Sequence, residues 1–439
     1  MARFEPDIYA IDFGTSNSLL AAANRFETHA PIPLDERAED PTILRSVLFF
    51  PEEPKLGERN CFLGKEALEE YVALGSRGRL LRSLKRFLPM RGFVRTTIAS
   101  RSYSLEDLIA AMLRAMRERA DRFFGANVTR VLLGRPARFS EDPEDDRFAE
   151  GRLRAAALIA GFTHVDFCPE PVAAARDFQG QLEGQKLLLV GDFGGGTSDF
   201  SLVRMTHGGF ALSDVLGIGG VSVAGDALDG SLMRSKIASH FGAGVRYRVP
   251  LGDNVLRMPR PLMEKLCSPA EMSLLAQRDA QNFLRDVRSW ALSERDRHHI
   301  DQLMALVDDT LGFVVFEAIE QAKKELSLHA QTRLSFHVPG IDIDQDLERD
   351  EFETGASREF AAIVAALDAT LQRAGIGPEA VDIVCLTGGT ARVPFVRRAL
   401  QERFGADRLH SMSGLHAVTE GLARHARWLL GGSGAPAPS

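Results

Sequence analysis

The first regular pattern in the chain is an apolar run from Ile8 to Ala23, interrupted by the segment Asp12-Phe-Gly-Thr-Ser-Asn17. Two apolar runs around a break of glycine and small polar residues predict a strand, a tight turn and a second strand. The same unit returns after Leu187, where Gly191-Asp-Phe-Gly-Gly-Gly-Thr-Ser-Asp199 separates two more apolar runs. Two copies of one pattern predict a duplicated domain.

The remaining pattern alternates between helical and strand periods. Apolar residues at helical spacing predict helices at Leu105–Phe124, Glu150–Ala160, Arg358–Ala374 and Val393–Phe404, and a mostly helical stretch at Ser231–Leu328. Short apolar runs predict strands at Val128–Leu133, Arg333–Val338 and Val381–Leu386. We expect the acidic run Glu141–Asp146 to be an exposed loop and the Gly/Pro/Ser-rich segment 431–439 to be disordered. Alternating strands and helices predict an α/β fold.

Composition narrows the class of protein. A chain of 439 residues that is 45% hydrophobic and 26% charged is typical of globular proteins of two or more domains. The net charge of -7 disfavours nucleic acid or an anionic membrane as the main partner. Four cysteines without a CxxC pair indicate a reducing compartment and no zinc site. Without a signal-like N-terminus or a long apolar run, we expect a soluble, cytoplasmic protein.

The two interrupted units carry the candidate chemistry. Asp12 and Asp192 each end a predicted strand and precede glycines, which let backbone N–H groups approach phosphate oxygens. Carboxylates beside phosphates suit Mg²⁺. The alternative for either unit alone is an ordinary hairpin with Asp and Gly present for turn geometry. The Asp-Phe-Gly triplet also occurs in protein kinases, but no HRDxxxxN loop accompanies it here, so we reject a kinase.

Other segments are ambiguous on their own. Thr387-Gly-Gly-Thr-Ala-Arg392 lies at a strand-to-helix junction, where a nucleotide could approach the backbone or where the chain simply turns. Glu170 precedes a helix that starts with a proline, and capping of that helix would by itself explain a carboxylate at this position. Lys85 lies in an arginine-rich stretch, and Glu320 with Lys324 has the spacing of an ordinary helical ion pair.

Taken together, these segments resemble the ATPase domain of the heat shock protein 70 (DnaK) family. The resemblance rests on Asp12-Phe-Gly-Thr15, Glu170-Pro-Val-Ala-Ala-Ala175, Asp192-Phe-Gly-Gly-Gly-Thr-Ser-Asp199 and Thr387-Gly-Gly-Thr-Ala-Arg-Val-Pro394, in the family's order. Ser83-Leu-Lys-Arg-Phe-Leu88 and Glu320-Gln-Ala-Lys-Lys-Glu-Leu-Ser327 resemble that family's lysine segment and adenosine-binding helix. The actin and sugar-kinase superfamily shares the set more loosely.

The resemblance implies a role for each matching residue. Asp12 and Asp192 would hold hydrated Mg²⁺, and Lys85, Glu170, Asp192, Thr197 and Asp199 would form the catalytic set, in which Lys85 neutralises phosphoryl charge while Glu170 and Asp199 orient water. The ATP or ADP phosphates would be bound by Gly14, Thr15, Ser16, Asn17, Gly194, Gly195, Gly196 and Thr197. The adenosine would be bound by Glu320, Lys323, Lys324, Ser327, Gly388, Gly389, Thr390 and Arg392. Such catalysis is mainly positioning and electrostatics.

The family also implies an actin-like ATPase (ribonuclease H-like) fold, with duplicated domains forming two lobes around a nucleotide cleft. Lobe I would span 1–186, with an inserted subdomain at about 41–125, and a C-terminal helix at about 415–430 would complete it. Lobe II would span 187–411, with a helical insertion at about 231–329. The tail 431–439 would follow.

The chain departs from the family pattern in three places, one of which is Gly414-Leu-His-Ala-Val418, where the family's acidic pair is lost. It reaches its Gly/Pro tail soon after Trp428-Leu-Leu430, so we expect no peptide-binding domain and a closer likeness to short YegD-type chaperones. The stretch from Gly242 to Leu311 matches poorly. We therefore expect a slow Mg-dependent ATPase of the chaperone type, with a protein client or co-chaperone as a further partner. The alternatives are a sugar-type phosphotransferase and an actin-like nucleotide-dependent scaffold.

Overall fold

The structure is a computed structural model that describes residues 4–53, 60–74, 77–140, 142–178, 183–206, 214–250, 252–269, 271–308, 311–411 and 416–431. Two five-membered strand paths dominate it. We call them the first sheet, in the order β11-β10-β1-β2-β3, and the second sheet, in the order β14-β13-β12-β19-β20. Within the described residues, no helix is long and apolar enough to cross a bilayer.

The N-terminal part of the chain builds the first sheet. Its strands are β1 (Ile8–Phe13), β2 (Asn17–Ala23), β3 (Thr28–His29), β4 (Leu44–Arg45), β5 (Val47–Pro51), β6 (Phe62–Leu63), β7 (Gly78–Arg82), β8 (Arg95–Ile98), β9 (Arg101–Ser104), β10 (Arg130–Arg135) and β11 (His164–Pro169). Its helices are α1 (Gly64–Ala73), α2 (Leu105–Phe124), α3 (Pro143–Ile159) and α4 (Glu170–Phe178), with a 3₁₀ turn at Leu84–Phe87. Strands β5 to β9 stand apart from the first sheet, in two small sheets.

The C-terminal part builds the second sheet. Its strands are β12 (Lys186–Phe193), β13 (Ser198–Met205), β14 (Val215–Val221), β15 (Arg246–Arg248), β16 (Val255–Arg257), β17 (Gln331–Val338), β18 (Ile341–Glu348), β19 (Ile383–Thr387) and β20 (Leu409–Ser411). Its helices are α5 (Gly225–Leu232), α6 (Arg260–Leu266), α7 (Arg278–Trp290), α8 (Glu294–Asp308), α9 (Gly312–Leu328), α10 (Arg349–Gly355), α11 (Ser357–Ala374), α12 (Pro394–Phe404) and α13 (His416–Gly431).

The two sheets have the same topology, which confirms the duplicated α/β fold. In each, an antiparallel hairpin (β1–β2 or β12–β13) is followed by a third antiparallel strand, and a long insertion then leads to two parallel strands on the other side of the hairpin. Helices α4 and α13 lie between the sheets and share one apolar cluster with both. They cross so closely that a Cβ at Gly421 would lie 1.8 Å from the carbonyl oxygen of Ala173.

The predicted elements agree with this structure except at the start of helix α3 and at the ribbon β15–β16, which interrupts the stretch predicted as mostly helical. Helix α3 begins at Pro143 rather than at Glu150, so residues 143–146 of the acidic run are helical, and Glu141 lies outside the described residues. Asp142 caps the helix by accepting from the N–H groups of Glu144 and Asp145, and carboxylates in a first helical turn are favourable. The ribbon β15–β16 and the strands β3 to β9, β11, β14, β18 and β20 were not predicted; most are short, and β18 alternates apolar with acidic residues. The expected tail lies outside the described residues except for Gly431, the last residue of α13.

Candidate functional site

Two equivalent hairpin turns face each other across the gap between the sheets. We call them the first hairpin, in which Phe13 pairs with Ser18, and the second hairpin, in which Phe193 pairs with Ser198. Each therefore closes with a loop of four residues, 14–17 in one and 194–197 in the other. The central carboxylates occupy the same place in the register, since Asp12 and Asp192 each immediately precede the paired phenylalanine.

The two loops touch at their tips. A Cβ built on Gly195 would lie 2.2 Å from Oγ of Ser16, and one built on Gly196 would lie 2.8 Å from Oγ1 of Thr15. A side chain at either position would require the Ser16 or the Thr15 side chain to move. The glycines of the second hairpin thus lie directly against the hydroxyls of the first.

Both hairpins line one cavity of about 80 Å³, together with Lys85 and Glu170. Of the residues predicted for the site, the cavity is lined by Asp12, Gly14, Thr15, Ser16, Asn17, Lys85, Glu170, Asp192, Gly194, Gly195, Gly196, Thr197 and Gly388. Thr387 and Val418 complete this lining. Segments far apart in the sequence therefore meet at one place, and the side chains of Asp12 and Asp192 face the same space.

Lys85 is brought to the cavity by an unusual local conformation. Ser83 has φ of 55°, in the left-handed region, and the 3₁₀ turn Leu84–Phe87 follows it. The Lys85 ammonium is buried and lies 2.5 Å from Oε1 of Glu170, which is buried as well. The hydroxyl of Ser83 also donates to Oδ2 of Asp226 at the start of α5, at 3.3 Å, so this turn contacts the second half of the molecule directly.

The cluster holds more negative than positive charge. Burial, and then the charge of Glu170, raises the pKa of Asp12 to about 7, against the opposing effect of Lys85. The same two causes raise the pKa of Asp199 to about 7. The pKa of Asp192 is raised well above its usual range by burial and by Glu170, Asp12 and Asp199. Burial alone would lower the pKa of Lys85, but Glu170 and Asp12 hold it above its usual value. One ammonium thus faces four carboxyl groups.

This donor set fits a hydrated magnesium ion. A divalent cation would offset the surplus of negative charge, and Mg²⁺ binds one or two carboxylates while keeping several waters. Within the described part of the chain, no three His, Cys, Asp or Glu side chains are arranged as direct ligands of one metal ion. Water-mediated contact with Asp12 and Asp192 suits that arrangement better than a closed protein cage.

Asp199 lies behind the cavity rather than on its wall. It is paired with Asp192 across the second hairpin and is 2% exposed. Its carboxylate accepts from the N–H of Ala137, at 3.1 Å on Oδ1, and from Thr197, whereas its buried Oδ2 has no hydrogen-bond partner among the described residues. A buried carboxylate oxygen without a donor is costly, and it could be satisfied by a water molecule.

Neighbouring elements hold the second hairpin in place. The carbonyl of Gly194 accepts from the hydroxyl of Thr390 at 3.0 Å, and the N–H of Asp226 donates to the carbonyl of Gly195 at 2.7 Å. Gly388 has φ of 84°, and a Cβ there would lie 2.2 Å from the carbonyl oxygen of Phe193. Thr390 and Gly388 therefore contact the backbone of the second hairpin and help to fix the conformation of its loop.

The predicted adenosine residues are spread more widely. Lys323 is largely buried, with its ammonium 2.7 Å from Oδ1 of Asp229 and 3.1 Å from the carbonyl of Gly225. Lys324 is exposed and pairs with Glu320 at 2.8 Å. Ser327 donates to the carbonyl of Lys323, and Gly389 and Arg392 are exposed at the surface. None of these residues lines the cavity between the hairpins.

A smaller neighbouring cavity of about 30 Å³ does contain Glu320. It is lined also by Asn17 of the first hairpin, Arg45 and Ser83. Arg45 pairs with Glu317 and lies 3.8 Å from Glu320, so strand β4 and helix α9 are joined beside the hairpins.

The sequence did not identify the residues that connect the first hairpin, the turn that carries Lys85 and helix α9 to their neighbours. Ser46 donates to the carbonyl of Gly14 at 2.8 Å, and Asp226 and Asp229 bind Ser83 and Lys323. Asp226 and Asp229 lie three residues apart on helix α5, shortly after the glycines of β14, and this spacing was the available signal for a role in the site. The signal was weak, because acidic residues on a short helix are usually solvent-exposed. Ser46 had no signal, because a single serine in the short segment Leu44-Arg-Ser-Val-Leu48 predicts at most a strand.

Comparison with known proteins agrees with the resemblance. The Hsp70 protein family model matches residues 90–247 and 305–435, about two thirds of the chain. The chaperone protein DnaK of Thermus thermophilus is 25% identical over 441 residues, covering 96% of this chain and 60% of that protein. DnaK of Thermotoga maritima is 25% identical over 437 residues, covering 99% and 61%. The heat shock 70 kDa protein of Emericella nidulans is 25% identical over 337 residues, covering 76% and 42%.

The chain thus spans about 60% of the length of the DnaK proteins it matches. The family model leaves residues 1–89 and 248–304 unmatched, and the second of these stretches falls within Gly242–Leu311, which the sequence sets apart. The matched segments contain Glu170, the second hairpin, α9 and the glycine turn at Gly388, and they cover well over half of the sequence. The chain belongs to the Hsp70 family.

Proposed function

We propose that this protein binds Mg-ATP and Mg-ADP between its two hairpins and hydrolyses ATP slowly, as a nucleotide-driven switch of the chaperone type. The observation that carries the proposal is the common cavity of Asp12, Asp192, Lys85 and Glu170 between two glycine-containing turns. Backbone N–H groups of glycine turns can bind phosphate oxygens from two sides at once.

Each half of the molecule would contribute a different group to the triphosphate. Thr15 and Ser16 would donate hydroxyls from the first hairpin, and Gly194, Gly195 and Gly196 would donate backbone N–H groups from the second. Asp12 and Asp192 would hold Mg²⁺ through water, and the ion would neutralise charge on the phosphate oxygens.

Hydrolysis needs an oriented water and compensation of the charge on the transferred phosphoryl group. The Lys85 ammonium, held by Glu170, lies on the cavity wall where it can provide this charge. Asp199 has a free buried oxygen, and its pKa of about 7 suits a group that accepts a proton near neutral pH. We therefore assign Lys85 to charge stabilisation and Glu170 and Asp199 to orienting the water.

Nucleotide binding would require the hairpin tips to separate. The cavity of about 80 Å³ has room for a few water molecules and is too small for a triphosphate, since Gly195 and Gly196 lie against Ser16 and Thr15. We propose that the two lobes, with the boundaries that the family implies, open and close around the nucleotide. The adenosine would lie against α9, near Glu320, Lys323, Lys324 and Ser327, and against the turn of Gly388, Gly389, Thr390 and Arg392.

The test is ATP hydrolysis by purified protein with Mg²⁺, measured for Asp192→Asn and Lys85→Ala. We expect each change to slow hydrolysis about 100-fold, as loss of one group in a preorganised site does, while part of the ADP affinity is kept. The matched control is Lys236→Ala, because Lys236 also pairs with a carboxylate, Glu351, but is not one of the residues that line the cavity. Hydrolysis that is unchanged by both site substitutions would refute the assignment.

ATP turnover with a sugar present and light scattering after addition of ATP separate the alternative functions. A phosphotransferase would turn over faster with a sugar present, and an actin-like scaffold would scatter more light after addition of ATP. A chaperone-type switch predicts neither response. A protein client and a co-chaperone are the partners that the family suggests for such a switch.

A further inference from the structure

A second, much larger cavity lies between the two halves of the molecule. It has a volume of about 560 Å³ and is lined by apolar side chains from both halves, among them Leu80, Leu84 and Phe87 on one wall and Met272, Leu274 and Leu306 on the other. Close-packed protein interiors contain few voids larger than a water molecule, whereas cavities that hold small molecules measure about 300–1,000 Å³. Its size is that of a binding site.

This cavity is separate from the phosphate site. It shares no lining residue with the cavity between the hairpins, and it meets the small cavity at Glu320 only through Arg82 and Phe313. The family model leaves parts of both walls unmatched: one wall has Leu80, Leu84 and Phe87, and the other has Pro269, Glu271, Met272, Leu274 and Ala276. The cavity is thus lined partly by residues that lie outside the matched segments.

The cavity also contains cations without an acidic partner. Arg79 and Arg82 line the first wall, and neither forms an ion pair with any carboxylate in the part of the chain that the structure describes. The Arg82 guanidinium instead lies 5.5 Å from the ring centre of Phe313, a cation–π contact that leaves its N–H groups available. Glu271 is on the other wall, so the positive charge is concentrated on one side.

We propose that this cavity binds an apolar small molecule that carries one anionic group. The apolar part would cover the aliphatic and aromatic walls, and the carboxylate, sulfonate or phosphate would pair with Arg82 and Arg79. Guanidinium groups bind such oxyanions with two parallel hydrogen bonds. Because both halves line the cavity, the bound molecule would connect them at a point away from the hairpins.

The test uses two fluorescent probes with the full chain. 8-Anilinonaphthalene-1-sulfonate is apolar and anionic, and N-phenyl-1-naphthylamine is apolar and neutral. We expect both to bind one site per chain, and Leu274→Trp, which fills the cavity, to weaken both at least 10-fold. The matched control is Leu292→Trp, since Leu292 is exposed and lies outside the lining. Leu80→Trp fills the cavity from the other wall and serves if Leu274→Trp does not fold.

The charge is tested separately with Arg82→Gln, with Arg257→Gln on the exposed strand β16 as its control. We expect Arg82→Gln to weaken sulfonate binding at least 5-fold and to leave the neutral probe unchanged. Equal binding of both probes to wild type and to the filled variants would overturn the site, and an equal effect of Arg82→Gln on both probes would overturn the anionic class. Displacement of the probes by Mg-ADP would also overturn the proposal, because the cavity would then be part of the nucleotide site.

Discussion

The two hairpins share register and loop length, yet they differ in what they bring to the cavity. The first has the hydroxyls of Thr15 and Ser16 at its tip and a leucine, Leu19, paired with its aspartate. The second has bare glycines at its tip and a second carboxylate, Asp199, paired with Asp192. The two copies therefore share one backbone arrangement, but one presents side-chain hydroxyls at its tip and the other presents glycines and a second carboxylate.

The largest effect of this difference is expected at the residue paired with each aspartate, which is Leu19 in the first hairpin and Asp199 in the second. We expect Asp199→Asn to slow ATP hydrolysis about 100-fold, because loss of a positioned proton acceptor costs roughly 100- to 10,000-fold. The equivalent residue of the first hairpin should have no such role, so Leu19→Met should leave the rate within about 2-fold, since a volume-conserving change in the core costs little. Single-turnover hydrolysis measures both rates, and equal losses would contradict the division of roles.

The two loop-opening glycines should also respond differently. A Cβ at Gly14 would lie 2.1 Å from the carbonyl oxygen of Asn17, which is backbone and cannot rotate away, whereas one at Gly194 would lie 3.5 Å from that of Thr197. We expect Gly14→Ala to lower the free energy of unfolding by about 1–3 kcal/mol, as overpacking does, and Gly194→Ala to change it by less than about 1 kcal/mol. Urea unfolding without nucleotide distinguishes them, and the reverse order would show that the loops were interpreted wrongly.

The extra carboxylate should make the second hairpin the pH-sensitive one. The pKa of Asp199 is about 7 in the folded protein and about 3.9 when unfolded, so the folded state holds its proton more tightly. Its stabilising effect is complete below pH ~4 and is lost as the pH rises through 7. We expect wild type without nucleotide to lose on the order of 1 kcal/mol more than Asp199→Asn between pH 5 and pH 8.

Thermal melts of the two proteins across that pH range provide the measurement. The comparison between variants removes the opposite contribution of His425, whose pKa is lowered to about 4 by burial and by Arg176, and which therefore destabilises the fold as the pH falls below 6.5. Parallel melting curves would show that Asp199 keeps its ordinary pKa.

The smallest expected effects concern the bonds that hold each loop. Ser46 donates to the carbonyl of Gly14, and Thr390 donates to that of Gly194. We expect Ser46→Ala and Thr390→Val each to cost about 1 kcal/mol of stability, the usual contribution of one such hydrogen bond, and to weaken ADP binding about 5-fold. Isothermal titration calorimetry checks the affinity. If only one of the two variants lost ADP affinity, only the loop changed in that variant would bind the phosphates.

The hairpins and the glycine turn of this site can be predicted from the sequence, because each is formed by residues that are close together in the chain. An apolar strand, an aspartate and a glycine turn occur within a few residues, so the hairpins at Asp12 and Asp192 and the glycine turn after β19 are recognisable without coordinates. The limits of helix α2 are also local, since Ser104 and Asp107 form a capping box and Gly125 ends the helix in the left-handed region.

What the sequence could not predict depends on distant contacts. Lys85 and Glu170 are 85 positions apart, and nothing near either residue shows that they form a buried ion pair. Lys323 has the pattern of a solvated helical lysine, yet it is held by Asp229 of a different helix. The large cavity arises only where two insertions meet, which periodicity within one element cannot show.

A structure with Mg-ADP tests the central claim most directly. The account predicts phosphates bound between the hairpins, with N–H groups of Gly195 and Gly196 on one side and Thr15 on the other, and a hydrated Mg²⁺ within one water of both Asp12 and Asp192. Phosphates that contact a single hairpin, or an ion that is not near both aspartates, would contradict it.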